Sequence, residues 1–562
     1  MVIKKMNKIF LKGILLFALV ANLFYWGSRK EGYFCDEMYS YHYTNRVDAP
    51  YITIDGEETW QETWHDSDFF RGYLTMSKDE TFDIKGVLKS IEQDPHPPVF
   101  YILMELSCSA FSIFFPGVFS KWCGIAVNIF FFVLAIIVLY KLSKEILQSD
   151  FWAISVCALY GFSAGAVSTV VFIRMYMIYT FFALLFAYVN AILWKKIWDE
   201  KKDTNNGAFF ALFVTAILGI LTQYYFFIYA FFICITVWGY SLWAKKYRFA
   251  VKYALTMAAG LICSYFIYPV MRHDLFSGMR GTEAFQNFKD KSDWKSSFGE
   301  FIAIVNAELF GNAGGLILIA LIVMAVGGLV LLQWNVKKSV TVQKGVCIAL
   351  ERKEKKQSLE FHLDIHDMIF IQILFAVLFY MILMAKIAPY QEDRYIFNVF
   401  PQIILIVVYI FKKLFTVLRS GHRLEIFGVI VLLIFTGVGY LSPGVNYLYK
   451  GTEEKLQTAS NYSNLPIFYI NYGSNYRACA ESVYFAKAQF TYPAREENIG
   501  GFSAALDELK IRGEIDTVNC LVYIDLGCSD TNGIIKQVQE ELKSGKARWL
   551  FDTEYSAVYI IE

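Results

Sequence analysis

The sequence is poor in charged residues and has no cysteine motif for metal binding. Charged side chains make up 18% of its 562 residues and the net charge is +1, whereas soluble domains contain about 25% charged residues. A net charge this small gives no reason to expect a nucleic-acid partner. The ten cysteines include no CxxC pair and no zinc-ligand spacing. We therefore interpret the cysteines as small apolar packing residues.

Apolar residues are present in excess. Hydrophobic residues make up 56% of the chain and aromatic residues 18%. A single soluble core does not grow to this size, so the excess indicates a lipid environment. A run of about 20 apolar residues spans a bilayer, and about eleven such runs are present. They are residues 9–26, 122–140, 151–171, 175–194, 208–223, 224–243, 249–270, 316–334, 368–388, 395–411 and 424–441.

The N-terminus has a basic start and an apolar run, as a signal peptide does. The run ends in Leu23-Phe24-Tyr25-Trp26, and no small-x-small cleavage site follows. We therefore expect an uncleaved first span, with Lys12 reaching back toward the cytoplasm.

Basic residues in alternate loops predict the orientation of the chain. They lie in the loops that share a side with the N-terminus, which places the N-terminus in the cytoplasm and the C-terminus outside. These residues are Lys141, Lys144, Lys195, Lys196, Lys201, Lys202, Lys245, Lys246, Arg248, Lys337, Lys338, Lys353, Lys355, Lys356, Lys412, Lys413, Arg419 and Arg423. Counting residues 99–115 as a span would reverse the predicted orientation of every later span and loop. We interpret that apolar stretch as a helix lying at the outer interface.

Two domains are expected. Residues 1–445 form a membrane domain with two large extracytoplasmic loops, 28–121 and 271–315. Residues 446–562 form a small extracytoplasmic α/β domain, because strand-length apolar runs near 466–470, 520–524 and 557–561 alternate with amphipathic stretches. No Gly-rich phosphate-binding fingerprint opens the helices of this domain.

The first loop begins and ends with residues that could carry chemistry. Asp36-Glu37 lies in an aromatic setting, where a carboxylate could act as a general base toward a hydroxyl; surface charge or a helix cap are the alternatives. His96 lies between Pro95 and Pro97-Pro98, which hold it in a stiff turn before a helix. The N-terminus of a helix favours the binding of an anion. His96 could also be an ordinary turn residue.

Two arginines do not fit the pattern in which basic residues lie in the predicted cytoplasmic loops. Arg174 and Arg394 each stand between apolar runs on the predicted outer side, at the level of lipid phosphates, and charges in such positions are usually functional. Arg394 could instead pair with Asp393. The outer loop 271–315 adds Arg272 and Arg280. His362 and His366 have helical i, i+4 spacing, but the sequence lacks the Glu of HExxH and a polar helix start explains them equally well. We predict no metal site.

These motifs together resemble the GT-C glycosyltransferases, in particular the family-39-like enzymes that include protein O-mannosyltransferases and the aminoarabinose transferase of lipid A. The shared features are an Asp-Glu pair after the first span (Asp36-Glu37), an Asp94-x-His96-Pro97-Pro98 element before an apolar helix, Arg174-Met175-Tyr176 heading a span, and Arg394-Tyr395. The resemblance covers about residues 9–441. Val99-Phe100-Tyr101 follows His96-Pro97-Pro98, in place of the Leu-Gly-Lys type continuation of protein O-mannosyltransferases, which argues against a protein acceptor.

The resemblance implies a polytopic α-helical, GT-C-like membrane protein with its active site on the extracytoplasmic side. Its donor would be a polyprenyl-phosphate sugar, moved with inversion to an extracytoplasmic glycan, lipid or, less readily, protein. Asp36 matches the catalytic Asp, with Glu37 beside it. His96, Arg174, Arg394 and either Arg272 or Arg280 would contact the donor phosphate, so that no metal ion or other cofactor is required. A transporter or flippase of lipid-linked sugars is the alternative, and a scaffold that binds a cell-wall partner is a third.

Overall fold

The computed structural model describes residues 2–45, 60–198, 206–332, 334–339, 347–352, 358–362, 364–418, 421–472, 477–516, 518–528 and 530–562. They form two compact units. The first unit is Met1–Trp26 with Asn128–Asn446, and the second unit is Gly27–Val127 with Tyr447–Glu562. This division differs from the expected one at residue 445, because the second unit contains the first loop as well as the C-terminal segment.

The helices, in chain order, are α1 Val2–Ser28, α2 Cys35–Asn45, α3 Ser67–Leu74, α4 Ile84–Ser90, α5 Val99–Phe114, α6 Trp122–Leu147, α7 Asp150–Gly161, α8 Ala164–Val171, α9 Tyr176–Trp198, α10 Asn206–Ile220, α11 Phe226–Trp243, α12 Tyr247–Ile267, α13 Met271–Phe276, α14 Met279–Asp290, α15 Trp294–Phe310, α16 Gly314–Leu332, α17 Ile365–Ile387, α18 Phe400–Val417, α19 His422–Val438, α20 Thr452–Ser460, α21 Ala478–Phe485, α22 Phe502–Ile511 and α23 Thr531–Glu541.

The strands are β1 His65–Asp66, β2 Trp334–Ser339, β3 Cys347–Arg352, β4 Ser358–His362, β5 Ile467–Asn471, β6 Phe490–Arg495, β7 Cys520–Asp525, β8 Ala547–Asp552 and β9 Ser556–Ile561. Short 3₁₀ turns lie at Lys78–Glu80, Ile91–Gln93, Asp393–Tyr395, Phe397–Val399 and Glu496–Gly501. In the first unit, β2, β3 and β4 form an antiparallel sheet in that order.

The expected count of about eleven spans is higher than the number of helices that meet the length and composition of a span. Within the described residues, 7 helices do so, or up to 9 if each of two bent pairs is one span. The bent pairs are α7 with α8, at 57°, and α15 with α16, at 86°. Runs 208–223 and 424–441 form the shorter helices α10 and α19, of 15 and 17 residues. The chain is nonetheless a multi-pass membrane protein.

The second bent pair also changes the description of the loop 271–315. Within it, α15 runs from Trp294 to Phe310 and ends at Gly311, whose φ of 54° is left-handed. A Cβ at Gly311 would lie 2.6 Å from the carbonyl oxygen of Phe435, so glycine permits both the turn and the close approach of α19.

The sheet of the second unit joins the C-terminal segment to the first loop. Its strand order is β1-β6-β5-β7-β9-β8, in which β5 pairs parallel to both β6 and β7 and the outer pairs are antiparallel. The edge strand β1 comes from the first loop. Nearby, the ring of Trp64 packs against Phe468, and its Nε1 donates to the carbonyl of Ala505 at 3.0 Å. The first loop thus contributes to the C-terminal core.

A buried carboxyl group ties α21 to the turn between β8 and β9. Ser556 Oγ donates to Glu481 Oε1 at 3.0 Å, and Thr553 donates to the same oxygen. Glu481 is only 1% exposed. Burial raises the pKa of this carboxyl to about 8, and the two hydroxyl donors oppose the rise. At neutral pH the folded protein therefore holds Glu481 in its protonated form.

This raised pKa predicts that stability falls as pH rises. Glu481 ionises at an ordinary pKa in the unfolded chain, so its contribution to stability is complete below about pH 4.3. That contribution is lost as pH rises through the folded-state pKa of about 8. Thermal unfolding in detergent should therefore show a melting temperature that declines from acidic to alkaline buffer, with a loss on the order of 4 kcal/mol.

The Glu481→Gln protein keeps the acceptor oxygen and cannot ionise, so its stability should depend much less on pH. Glu540→Gln, at an exposed position of α23, is the matched control and should follow the wild-type curve. Parallel curves for wild type and Glu481→Gln would contradict a protonated Glu481.

Candidate active site

Asp36 and Glu37 occupy the first turn of α2 but have different surroundings. The helix begins at the carbonyl of Phe34, which accepts from the backbone N–H of Glu37 at 2.9 Å. The Glu37 carboxylate returns this contact by accepting from the N–H of Phe34 at 2.7 Å. Such a reciprocal cap fixes the first turn. It uses one oxygen of Glu37 and leaves Asp36 on a different face of the helix.

Glu37 is also half of a buried ion pair with Lys30. Lys30 Nζ lies 2.9 Å from both carboxylate oxygens, and both side chains are fully buried. The same ammonium donates to the carbonyl of Tyr447 at 2.6 Å. Burial lowers the pKa of Lys30, and the charge of Glu37 opposes this. The pair adds to the helix cap that the sequence left open for Glu37, and the partner Lys30 was not predicted.

Asp36, by contrast, is half-buried and keeps access to solvent. The residue before it is held in place, because the N–H of Cys35 donates to the hydroxyl of Tyr555 at 3.1 Å. Ser40 Oγ donates to the carbonyl of Asp36 at 3.1 Å, one turn later. Asp36 is therefore a partly exposed residue on a fixed backbone, a setting that suits a general base.

His96 is oriented by a neighbouring carboxylate. Its Nδ1 lies 3.0 Å from Asp94 Oδ1, and the hydroxyl of Tyr101 donates to Asp94 Oδ2. The His96 side chain is 22% exposed and that of Asp94 is 6% exposed. A carboxylate at Nδ1 sets the orientation of the ring. The ring of Tyr101 also lies 6.3 Å from that of Tyr43 on α2, so the helix of Asp36 and the turn of His96 are in contact.

Arg174 is in the four-residue connection between α8 and α9 and is 2% exposed. Asn128 on α6 holds this connection by donating to the carbonyls of Val170 and Phe172, at 3.0 and 2.8 Å. The ring of Tyr176, at the start of α9, lies edge-on to Phe397 at 6.2 Å. This contact joins the connection to the segment that carries Arg394.

The positive charges of Arg394 and Arg280 both affect the pKa of Tyr395. Arg394 Nε lies 2.6 Å from Glu392, and its guanidinium lies 5.4 Å from the ring of Tyr395. Burial raises the pKa of Tyr395, while the positive charges of Arg394 and Arg280 oppose that rise. The structure therefore brings Arg280 and Arg394 into electrostatic range of one phenol. Arg280 also pairs with Glu283 at 2.8 Å, and Arg272 is exposed on α13.

A polar network that the sequence did not reveal supports the segment of Arg394. Asn446 Nδ2 donates to Glu308 Oε1 at 3.0 Å and to Asp393 Oδ2 at 2.9 Å. Asp393 Oδ1 accepts from the backbone N–H of Arg394 at 2.7 Å. Both acids are at most 5% exposed. The sequence suggested that Arg394 pairs with Asp393. Asp393 accepts from the backbone N–H of Arg394, and the guanidinium of Arg394 forms an ion pair with Glu392.

Within the described residues, no group of three or more His, Cys, Asp or Glu side chains has the geometry of a metal site. Asp364 caps α17 by accepting from the N–H groups of His366 and Asp367, at 2.8 and 2.9 Å. His366 is in the first turn of this helix, and its Nδ1 lies 3.1 Å from Gln148 Nε2. The side chain of His362 lies outside the described residues.

The predicted residues thus form two groups. Asp36, Glu37 and His96 lie in the second unit, whereas Arg174, Arg272, Arg280 and Arg394 lie in the first. Sequence reasoning missed Lys30, Asp94 as a support for His96, and the contacts of Tyr447 and Tyr555. Asp94 and Tyr101 flank His96 closely enough to have been found. The contacts to Tyr447 and Tyr555 join positions more than four hundred residues apart, and no local pattern signals them.

The Lys30–Glu37 pair predicts a large loss of stability when only one partner is replaced. Lys30→Met leaves a buried carboxylate without its cation, which costs about 3–5 kcal/mol. Lys30→Met/Glu37→Gln removes both charges and should recover much of that loss, so that the two substitutions are strongly non-additive. Thermal unfolding in detergent measures the wild type, Lys30→Met, Glu37→Gln and the double variant.

The exposed pair Arg71–Asp68, at 48% and 77% exposure, is the control, because Arg71→Met should cost less than about 1 kcal/mol. If the stability losses of Lys30→Met and Glu37→Gln added up in the double variant, the two residues would not be energetically coupled.

No protein-family model matches the chain, and no curated protein matches it. Among solved structures, it is similar to ArnT from Cupriavidus metallidurans bound to undecaprenyl phosphate, with a TM-score of 0.48, 9% identity and 97% of each chain covered. The apo state of the same protein gives a TM-score of 0.46 at 9% identity and 97% coverage. ArnT is a lipid A aminoarabinose transferase. A structural similarity at 9% identity assigns no role to any residue of this chain.

Proposed function

We propose that the chain is a membrane glycosyltransferase that moves a sugar from a polyprenyl-phosphate donor to an acceptor hydroxyl. The observation that carries this proposal is the difference between two adjacent carboxylates. Glu37 is fully buried against Lys30, whereas Asp36 keeps solvent access on the same rigid turn. One acid therefore fixes the helix start, and the other is partly exposed to solvent on the same turn. The donor class is the one that the motif resemblance implies.

In the proposed reaction, Asp36 acts as the general base. An acceptor hydroxyl oxygen attacks the anomeric carbon of the donor while its proton passes to the Asp36 carboxylate. The bond from the anomeric carbon to the phosphate oxygen breaks, and its electron pair leaves with the polyprenyl phosphate. A single displacement of this kind inverts the configuration of the sugar.

Positive groups stabilise the leaving phosphate. Arginine forks match phosphate oxygens geometrically and carry a permanent charge, and we assign this role to Arg174, Arg280 and Arg394. Arg272 becomes the weaker candidate, because Arg280 shares the Tyr395 environment with Arg394. His96, oriented by Asp94, would contact the same phosphate through Nε2. Such groups act by electrostatic stabilisation as negative charge develops on the leaving group.

The alternating basic loops support an extracytoplasmic site and acceptor. A second candidate function is transport of a lipid-linked sugar, and one observation favours it. Transporters often contain broken helices, and α7 with α8 and α15 with α16 are bent pairs. The two functions differ in chemistry, because only the transferase releases polyprenyl phosphate.

Release of polyprenyl phosphate from labelled polyprenyl-phosphate hexoses and pentoses by purified full-length protein tests the proposal. Asp36→Asn should lower the rate by about 10²–10⁴-fold, the contribution of a general base, while the melting temperature stays at the wild-type value. Asp68→Asn, an exposed acid of the same loop, should react as wild type does.

A full rate in Asp36→Asn would remove Asp36 as the base. Absence of release from every donor, together with movement of the intact donor between the leaflets of vesicles, would favour transport.

Metal chelation tests independently whether protein side chains or a metal ion stabilise the leaving phosphate. If arginine and histidine stabilise the leaving phosphate, an excess of EDTA should leave the rate of release unchanged. Loss of activity in EDTA that returns with added Mg²⁺ or Mn²⁺ would show that a metal ion carries part of this role.

A further inference from the structure

The C-terminal sheet has a point at which its strand order reverses. The central strand β5 is followed along the chain by β6, which pairs on one side, and then by β7, which pairs on the other; both pairings are parallel. In open α/β sheets, ligands bind outside the carboxyl ends of the strands at such a point. Here those ends are Asn471, the last residue of β5, and Asp525, the last residue of β7.

Polar and aromatic side chains occupy this edge. Asp525 Oδ1 accepts from Arg477 Nη1 at 2.6 Å and from the N–H of Gly527 at 2.7 Å. A Cβ at Gly527 would lie 2.9 Å from Arg477 Nη1 and 3.0 Å from the ring of Tyr472, so glycine lets these groups approach the backbone closely. Tyr472 is 64% exposed, and the Arg477 side chain is 37% exposed.

This combination suits a neutral sugar ring. A sugar hydroxyl both donates and accepts, and the paired guanidinium and carboxylate offer donors and acceptors side by side. The exposed face of Tyr472 can pack against the apolar C–H face of a sugar. A free phosphate or other anion fits less well, because Asp525 already balances the charge of Arg477.

The same edge is connected to the helix that carries Asp36. The carbonyl of Tyr555 accepts from the N–H of Leu526, directly after β7, at 2.8 Å. The hydroxyl of Tyr555 accepts from the N–H of Cys35, the residue before Asp36, at 3.1 Å. One residue thus contacts both the loop at the end of β7 and the first turn of α2.

We propose that the edge formed by Asn471, Tyr472, Arg477 and Asp525 binds the acceptor, and that the bound part of the acceptor is a neutral sugar ring. The assignment of this ligand as acceptor rests on the proposed function, whereas sugar binding at the edge does not. The C-terminal segment is then part of the substrate-binding machinery, and its loops determine which acceptor is used.

Two measurements on the full-length protein separate these claims. Saturation-transfer NMR with methyl β-D-glucopyranoside and methyl β-D-galactopyranoside detects sugar binding without any reaction. Polyprenyl phosphate release, measured with and without the same glycosides, detects their use as acceptors. We expect a saturation-transfer signal and a stimulated release from at least one glycoside.

Tyr472→Ala should reduce both the signal and the stimulated increment by about five- to tenfold, the loss expected when a stacking aromatic ring is removed. Arg477→Gln/Asp525→Asn, which keeps a neutral hydrogen-bonding pair, should also reduce both. Trp549→Ala is the matched control, because Trp549 is an exposed aromatic residue on β8, at 54% exposure, and should retain both readouts.

No saturation-transfer signal in the wild-type protein, or an equal signal in Tyr472→Ala, would overturn the sugar site. A signal that depends on Tyr472 without stimulated release would keep the site and overturn its role as acceptor site. Absence of any release, with or without glycoside, would count against the proposed function and leave the NMR result to decide the site.

Discussion

The second unit depends on one buried ion pair. Lys30 and Glu37 are both fully buried and lie 2.9 Å apart, so neither charge can be left alone without a large cost. The pair fixes where α2 begins, because Glu37 also caps the N–H of Phe34. It joins the C-terminal segment to the first loop as well, because Lys30 donates to the carbonyl of Tyr447. The position of Asp36 follows from these contacts.

This arrangement separates two tasks between adjacent acids. A carboxylate that must be accessible cannot also hold the helix start, because a buried, fully paired carboxylate has no contact left for a substrate. Glu37 provides the rigidity, and Asp36 is the proposed base. His96 and Asp94 repeat the same division, with Asp94 6% exposed and His96 22% exposed. In both cases a buried acid orients a more accessible neighbour.

The sequence was sufficient for features that depend on local patterns. The helices that follow apolar runs, the strands near Ile467, Cys520 and Ser556, and the turn around His96 all have signals within a few residues. Long-range contacts had no such signal. The pairing of β1 with β6 brings His65 to Thr491, and hydropathy alone does not indicate the bends between α7 and α8 and between α15 and α16.

The contacts of α2 bear on how acceptor preference can change within this architecture. Tyr555 touches both the end of β7 and Cys35, so the backbone of α2 is held by residues other than those proposed to bind sugar. Tyr472 and Arg477 are partly exposed, and substitutions there need not disturb the Lys30–Glu37 pair or the cap of α2. The proposed base, Asp36, is therefore a different residue from those proposed to bind the acceptor. Such a separation lets acceptor preference vary while the geometry of Asp36 is kept.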